Sequence, residues 1–415
     1  YLTEVERLKR YGLTEGEVAR AKANILAGYE KAANQADTRK NSEFVYPLIN
    51  NFFGNYAFME PGAKLELVKT IFGQINAQVM NQVLAQAFAD ENSLVVIYSG
   101  PEKDGIATPT AQQLLQAIED VKKSEIAAPV EETSNEPLMD SSALKGGQVK
   151  KTKTTIYGAT EWILSNGVKV VVLPTDHKKD QILFSLYKNG GKSLIPTEDM
   201  PSFDDNIYGL FLRSQGVSKF KGTELTKMLA GKVVTVTPTV GELYNGISGN
   251  SSVKDLETAF QLLYLEFTEP RFDQEEFDNA IAQLKAVLPN LENTPNFALQ
   301  KRVVKTLYND DPREEAISME KVGKASLQAI ENNYRRLFAD VAGATMVIVG
   351  DVNLDTLKPL VEKYVGSLPK GKKAPKWADV QPRLVKGNIE DVFEQKMETP
   401  LSTVLQVYSD YRPFS

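Results

Sequence analysis

Glu161-Trp-Ile-Leu-Ser165, Asn166-Gly167 and Val168-Lys-Val-Val-Val-Leu173 read as a strand, a type I′ turn and a second strand. A third strand, Gln181–Tyr187, ends in Asn189-Gly190-Gly191, and a strand pair covers Lys232 to Ser248, where Val234, Val236 and Ile247 fit a half-buried pleat. Helices fall between them, near Asp204–Ser214 and Thr223–Leu229. Leu256, Phe260, Leu263 and Phe267 recur at helical spacing until Pro270 stops them. Asp273-x-x-Glu276 opens another helix that carries Phe277, Ile281, Leu284 and Leu288 inward. More helices lead to a strand at Ala344–Val349 and a helix from about Asp355 to Val365. Residues 151–390 therefore read as one complete α+β unit.

Upstream, residues 126–150 hold Pro129, Pro137 and several Ser, Glu and Gly without apolar periodicity, which predicts an interdomain linker. Before it the chain is mostly helical. Thr14-x-x-Glu17 is a capping box ahead of Val18, Ala21, Ile25 and Tyr29 on one face. Apolar-periodic stretches follow at Ser42–Tyr56, Gly62–Ile75, Ala77–Phe88 and Pro109–Lys123, with a β-rich run at Ser93–Tyr98. Phe88-Ala-Asp90 precedes that run as Phe338-Ala-Asp340 precedes the later strand, and the capped helices at Thr14 and Asp273 stand in the same order. This weak internal repeat makes residues 1–125 the C-terminal part of one α+β unit, and residues 391–415, with their strand-like stretch Val392–Tyr411, the start of a truncated third copy. Tyr1 lies within a helical pattern, so the chain reads as a piece of a longer protein.

The 415 residues are nearly three times the ~150 of a typical domain, and the 42% apolar and 25% charged content is that of a globular protein. Lys and Arg number 48 against 54 Asp and Glu, a net charge of −6 without a long basic run, which speaks against nucleic acid as a partner. Apolar segments fall well short of the ~20 residues that span a membrane. There is no cysteine and a single histidine, His177, so thiolate metal sites, a Cys nucleophile and any site needing two imidazoles are excluded from these residues.

The chain resembles the pitrilysin/insulinase family of zinc metallopeptidases. The resemblance rests on Leu164-Ser-Asn-Gly-Val-Lys-Val-Val-Val-Leu173, Asn189-Gly-Gly191, Phe220-Lys-Gly-Thr223, Phe272-Asp-Gln-Glu-Glu-Phe277, Val349-Gly-Asp-Val352 and Gly366-Ser-Leu-Pro-Lys-Gly371, which appear in family order. It implies an α+β fold of repeated metallopeptidase-type α/β sandwich units, with helices packed on one face of an antiparallel-rich sheet, forming two halves around a chamber. Tyr11-Gly-Leu-Thr-Glu15 resembles the late part of the second unit. Residues 151–390 would then be the third unit, and Met397-Glu-Thr-Pro400 the opening of the fourth.

Family members place their active site in the first unit, where an inverted His-x-x-Glu-His motif and a distal Glu hold zinc. Counted back from Phe220-Lys-Gly-Thr223, the motif positions here hold Arg213, Gly216 and Val217, and Asn279–Asn290, where the distal ligand would lie, contains no carboxylate. No catalytic and no metal residue is thus expected in this chain; zinc belongs upstream in the parent. Arg213, Lys219 and Lys221 would border the chamber and could meet acidic groups of a peptide substrate, or be a solvated helix end and loop.

His177, in a loop beside Asp176, Lys178 and Lys179, is assigned no chemistry, and Asn189-Gly-Gly-Lys-Ser193 lacks phosphate-loop spacing and reads as a turn. Tyr244–Ser252 reads as a plain hairpin, with a substrate-receiving edge as the sharper alternative. The expected function is a non-catalytic segment of a zinc metalloendopeptidase that helps enclose unfolded peptides, working with an N-terminal catalytic half. The alternative is an inactive binding or assembly subunit beside an active family partner; a scaffold unrelated to proteolysis is the third. A periplasmic or envelope setting fits the resemblance, with the cytosol also open.

Overall fold

The hairpin at 160–174 forms with its two strands antiparallel, although its turn differs from the expectation. Strands β2 (Thr160–Leu164) and β3 (Lys169–Pro174) are joined by Ser165, Asn166, Gly167 and Val168, and only Gly167 takes a left-handed conformation, φ 95°. A type I′ turn needs two such residues. Asn166 instead buries its side chain, whose amide donates to the carbonyls of Val365 and Leu368 at 2.8 and 3.2 Å. The turn is thus shaped by a tertiary contact that no local signal reveals. The computed structural model describes residues 1–89, 95–100, 107–131, 136–380, 382–395, 397 and 399–408.

The chain divides into two compact units, residues 1–137 with 227–233, and residues 138–226 with 234–415. In the first, α1 (Leu2–Tyr11), α2 (Glu15–Asn34), α3 (Ser42–Gly54), α4 (Pro61–Phe72), α5 (Ala77–Ala87) and α6 (Ala111–Lys123) follow one another. Their starts are locally encoded. Thr14 and Glu17 form a reciprocal capping box, Asn76 accepts from the Val79 N–H, and Thr110 with Gln113 forms a second box. Arg10 donates to the carbonyls of Lys122 and Ser124, satisfying the end of α6. Among the described residues few apolar side chains are buried here: Val18, Ala27, Ala77 and Ile126 are, whereas Tyr46, Phe52 and Phe53 of α3 are exposed. Of the β-rich run, Ser93 and Leu94 lie outside the described residues, and 95–98 form no strand, with Val95 and Ile97 exposed.

The second unit is a seven-stranded sheet with helices. Its strands are β1 (Val149–Thr154), β2, β3, β4 (Ile182–Asn189), β5 (Val234–Val240), β6 (Tyr244–Ser251) and β7 (Thr345–Gly350), in the order β1-β2-β3-β7-β4-β6-β5. Only β3 and β7 run parallel, pairing Val170 with Met346 and Val172 with Ile348; the other neighbours are antiparallel. Alternation sets the faces: Ile182, Phe184 and Leu186 of β4 are buried while Leu183 and Tyr187 are exposed. β1 escaped the sequence reading because Lys150, Lys151 and Lys153 hide any alternation. Lysines suit a sheet edge, where they discourage pairing with another chain. β6 pairs on both sides, with β4 and β5, so Tyr244–Ser252 is an interior hairpin arm and not an edge.

The helices of this unit are α7 (Asp205–Ser214), α8 (Gly222–Met228), which runs on into the residues of the first, α9 (Leu256–Thr268), α10 (Gln274–Glu292), α11 (Pro295–Tyr308), α12 (Met319–Lys324), α13 (Leu327–Leu337) and α14 (Leu354–Leu360). Phe203, Phe211, Phe260, Leu263, Tyr334 and Tyr364 are essentially inaccessible in one core. Phe260 stacks on Phe184 of the sheet at 6.0 Å between ring centroids. After α14, Val361–Val365 widens into a π-helical stretch, and the Glu362 carbonyl accepts the Gly147 N–H at 2.7 Å. Residues 144–149, expected to be linker, are fastened there. Asp391 holds Arg302 through a bidentate ion pair, but the described residues of 391–408 form no strand; 396, 398 and 409–415 lie outside the described residues.

Candidate functional site

Helix α7 starts at Asp204, whose carboxylate accepts the Asn206 N–H at 3.0 Å. Burial would raise the Asp204 carboxyl, but the Lys321 ammonium 2.8 Å away holds it below its ordinary value. Ile207, Tyr208 and Phe211 face the core, and the helix ends at Ser214. The helix therefore reaches Arg213 but not the other two motif positions. Gly216 and Val217 lie in the loop beyond it, where Val217 is fully buried and exchanges backbone hydrogen bonds with Phe220 at 3.0 Å. A Cβ on residue 216 would stand 1.9 Å from the Phe220 carbonyl oxygen, so only glycine fits.

Loop 215–222 is held by carboxylates of α9, α10 and the turn between them. The Ser218 hydroxyl donates to Glu269 at 2.5 Å and the Gly222 N–H to Glu276 at 3.1 Å. Lys221 reaches Glu275 at 3.4 Å, and the Lys219 ammonium lies 5.2 Å from the centroid of the Phe220 ring. Arg213, Lys219 and Lys221 are all exposed, on the last turn of α7 and in the loop, each in its own surroundings. These side chains can present positive charge; they form no acid–base or nucleophilic arrangement.

A zinc ion does not fit the motif positions. Arg213 carries a cation, Gly216 has no side chain and Val217 offers hydrocarbon to the core. Among the described residues no group of three or more His, Asp or Glu is placed to hold a metal. His177, with Asp176 as its neighbour at 4.0 Å, lies open to solvent.

A cleft of about 330 Å³ lies at the start of α7, lined by Lys192, Asp205, Glu242, Arg313, Glu314 and Lys321 among others. Its cations are engaged within the chain. Lys192 bridges Asp205 and Glu242 at 2.9 and 3.2 Å, Lys321 holds Asp204, and Arg313 donates to the carbonyls of Lys192 and Ile195.

The sequence reading missed Glu266. It is buried on α9, and the amide of Gln215, the first residue of the loop, donates to it at 3.4 Å. Its signal was legible: a carboxylate placed at helical spacing from Leu262 and Leu263, on the face that packs inward.

Residues 324–409 match the family model of the peptidase M16 inactive domain. Over 88% of the chain, the sequence is 24% identical to a zinc protease PQQL-like protein of Arabidopsis thaliana and 21% identical to the probable zinc protease PqqL of Escherichia coli. The chain resembles the pitrilysin-family zinc proteases. It spans only 36% and 39% of those two relatives' lengths. The crystal structure of the periplasmic protease PqqL from Escherichia coli superposes over 92% of the chain and 42% of its own, with a TM-score of 0.53 and 18% identity. A ferredoxin protease, FusC, crystallised with Arabidopsis ferredoxin, covers the same shares with a TM-score of 0.54 and 18% identity. The family's α+β architecture is thus the architecture of this chain. No helix among the described residues is long and apolar enough to cross a membrane.

Proposed function

We propose that this chain is a non-catalytic segment of a zinc-dependent metalloendopeptidase and that its sheet-bearing unit walls a chamber for unfolded peptides. The observation that carries the reading is the state of the motif positions: Gly216 and Val217 lie off the helix and are packed where ligands would have to stand free. Residues 1–125 act as the C-terminal part of a second-type unit, 126–150 as the connection, 151–390 as a complete third-type unit and 391–415 as the opening of a fourth. The apolar residues that α3 leaves exposed support this division, because helices of the second unit bury such residues against a sheet.

In this role zinc and its general base belong to the catalytic half of the parent. Arg213, Lys219 and Lys221 present positive charge toward acidic groups of the peptide. The setting is the periplasm or cell envelope, by analogy with the periplasmic relative. The test is chelator-sensitive cleavage of a quenched, unstructured acidic peptide by the parent and by its R213A/K219A/K221A variant. Cleavage by the parent, with a several-fold higher KM in the variant, is the expected result. An unchanged KM removes the three residues from the chamber; a parent without cleavage leaves an inactive binding subunit.

A further inference from the structure

Glu266 is 6% exposed, and its titratable neighbours are Tyr208 of α7 and Tyr334 of α13. The Tyr334 hydroxyl is spent on the Glu266 backbone carbonyl at 2.8 Å, leaving the carboxyl with the 3.4 Å contact from Gln215. No cation offsets it among the described residues. Lys363 and Tyr364, packed on α9 from the π-helical stretch, meet Glu257 at the opposite end of the helix. Glu269 turns to Ser218, Arg271 to Asp273, and β5 and β6 bring no charged side chain. Gln215 Oε1 and the Tyr208 hydroxyl are buried without a hydrogen-bond partner.

This surrounding has one consistent protonation state at neutral pH. A buried carboxylate without a cation is costly, whereas a protonated carboxyl is neutral and carries a donor of its own. Burial accordingly pushes the Glu266 carboxyl up to about 8. Gln215 is also the residue through which loop 215–222 leaves α7.

We propose that Glu266 is a proton-operated latch on loop 215–222: uncharged, it lets Gln215 and the loop seat against α9, and ionised, it opens that seat to water. The latch regulates the loop that carries Lys219 and Lys221, but it rests on the loop's own contacts and not on peptide binding. Its linkage has a definite sign. The seated state binds its proton up to about pH 8, while an opened, solvated Glu titrates near 4.5. Between the two values the open fraction rises about tenfold per pH unit, and above the higher one it levels.

The test is hydrogen exchange of amides 215–222 in the full chain across this range, corrected for the chemical pH dependence of exchange and read beside amides of β7. The latch predicts that loop protection falls about tenfold per pH unit up to about pH 8 and then levels, at values below those of β7. E266Q, which mimics the neutral carboxyl, should keep the loop protected at every pH. An equal slope in E266Q, no slope in the native chain, or loop protection equal to that of β7 at every pH overturns the proposal. Should E266Q not fold, carboxyl-carbon resonances of labelled glutamates in the native chain decide. One titrating near pH 8 in step with the loop supports the latch, and none doing so refutes it. No peptide is present, so failure here is distinct from failure of the chamber reading.

Discussion

Helices α2 and α10 begin alike, with side-chain caps at Thr14 and Asp273, and run for 20 and 19 residues, and each heads a series of helices. The series also close alike: α5 and α13 end on Phe88 and Phe338, with φ of −100° and −103°. Their burial differs. α10 to α13 bury Phe277, Leu288, Phe297, Val322, Ile330 and Tyr334 among others in a core that includes the sheet, whereas α2 to α5 bury Val18, Ala27 and Ala77. Caps and periodicity decide that a helix forms and where it starts; what the helix stabilises is decided by the sheet placed against its apolar stripe. The first series has the local code and, among the described residues, no strand of its own.

Rebuilding a metal motif in the sheet-bearing unit should have the largest effect. R213H/G216E/V217H places a side chain against the Phe220 carbonyl and a polar ring in the core, and a loss of more than about 4 kcal/mol is expected, read by denaturant unfolding. A folded variant that binds stoichiometric zinc would show that the loop tolerates a site after all. The contrast between the series is sharpened by one residue type in two places. Phe260→Ala should cost about 3–5 kcal/mol, and Phe52→Ala, on exposed α3, less than about 0.5 kcal/mol. Equal losses in the two melts would break the comparison.

Lys321→Ala tests the buried pair beneath α7. It leaves the Asp204 carboxylate without its cation and should cost about 3 kcal/mol at neutral pH. Because Asp204 is held below its ordinary value, the pair's contribution is present above the usual carboxylate range and is lost as pH falls through the depressed value. The variant should therefore lose less stability on acidification than the native chain, as thermal melts from pH 7 to 3 would reveal. A smaller loss than that of Lys321→Ala is expected of Thr14→Ala, which removes a capping box whose hydroxyl accepts the Glu17 N–H, at about 1 kcal/mol. Circular dichroism of the first unit would detect it, and an unchanged helix signal and melt would deny the cap its role.

Much of this architecture was legible because its signals are local. Val170 and Val172 alternate, Thr14 and Glu17 stand at capping distance, and Leu256 to Phe267 keep helical spacing. Contacts distant in sequence were not legible. Asn166 and Gly167 read as a type I′ turn, but the Asn166 amide is committed to residues 365 and 368, and Asp273 caps α10 while Glu276 serves Gly222 instead of closing a box. The lysines of β1 concealed a strand whose partner, β2, lies across a turn. At the site, the motif count found Arg213, Gly216 and Val217 but not that α7 stops at Ser214. Glu266 was visible as a charge on an apolar face, yet its partner Gln215 could be assigned only once α7 and α9 were packed together.

The most direct test of the account is to supply the 415-residue chain with excess zinc, remove unbound metal, and measure bound zinc together with cleavage of the quenched peptide. The account predicts no stoichiometric zinc and no chelator-sensitive cleavage, because the motif positions hold an exposed arginine, a glycine against a carbonyl and a core valine. One zinc per chain with peptide turnover would contradict it.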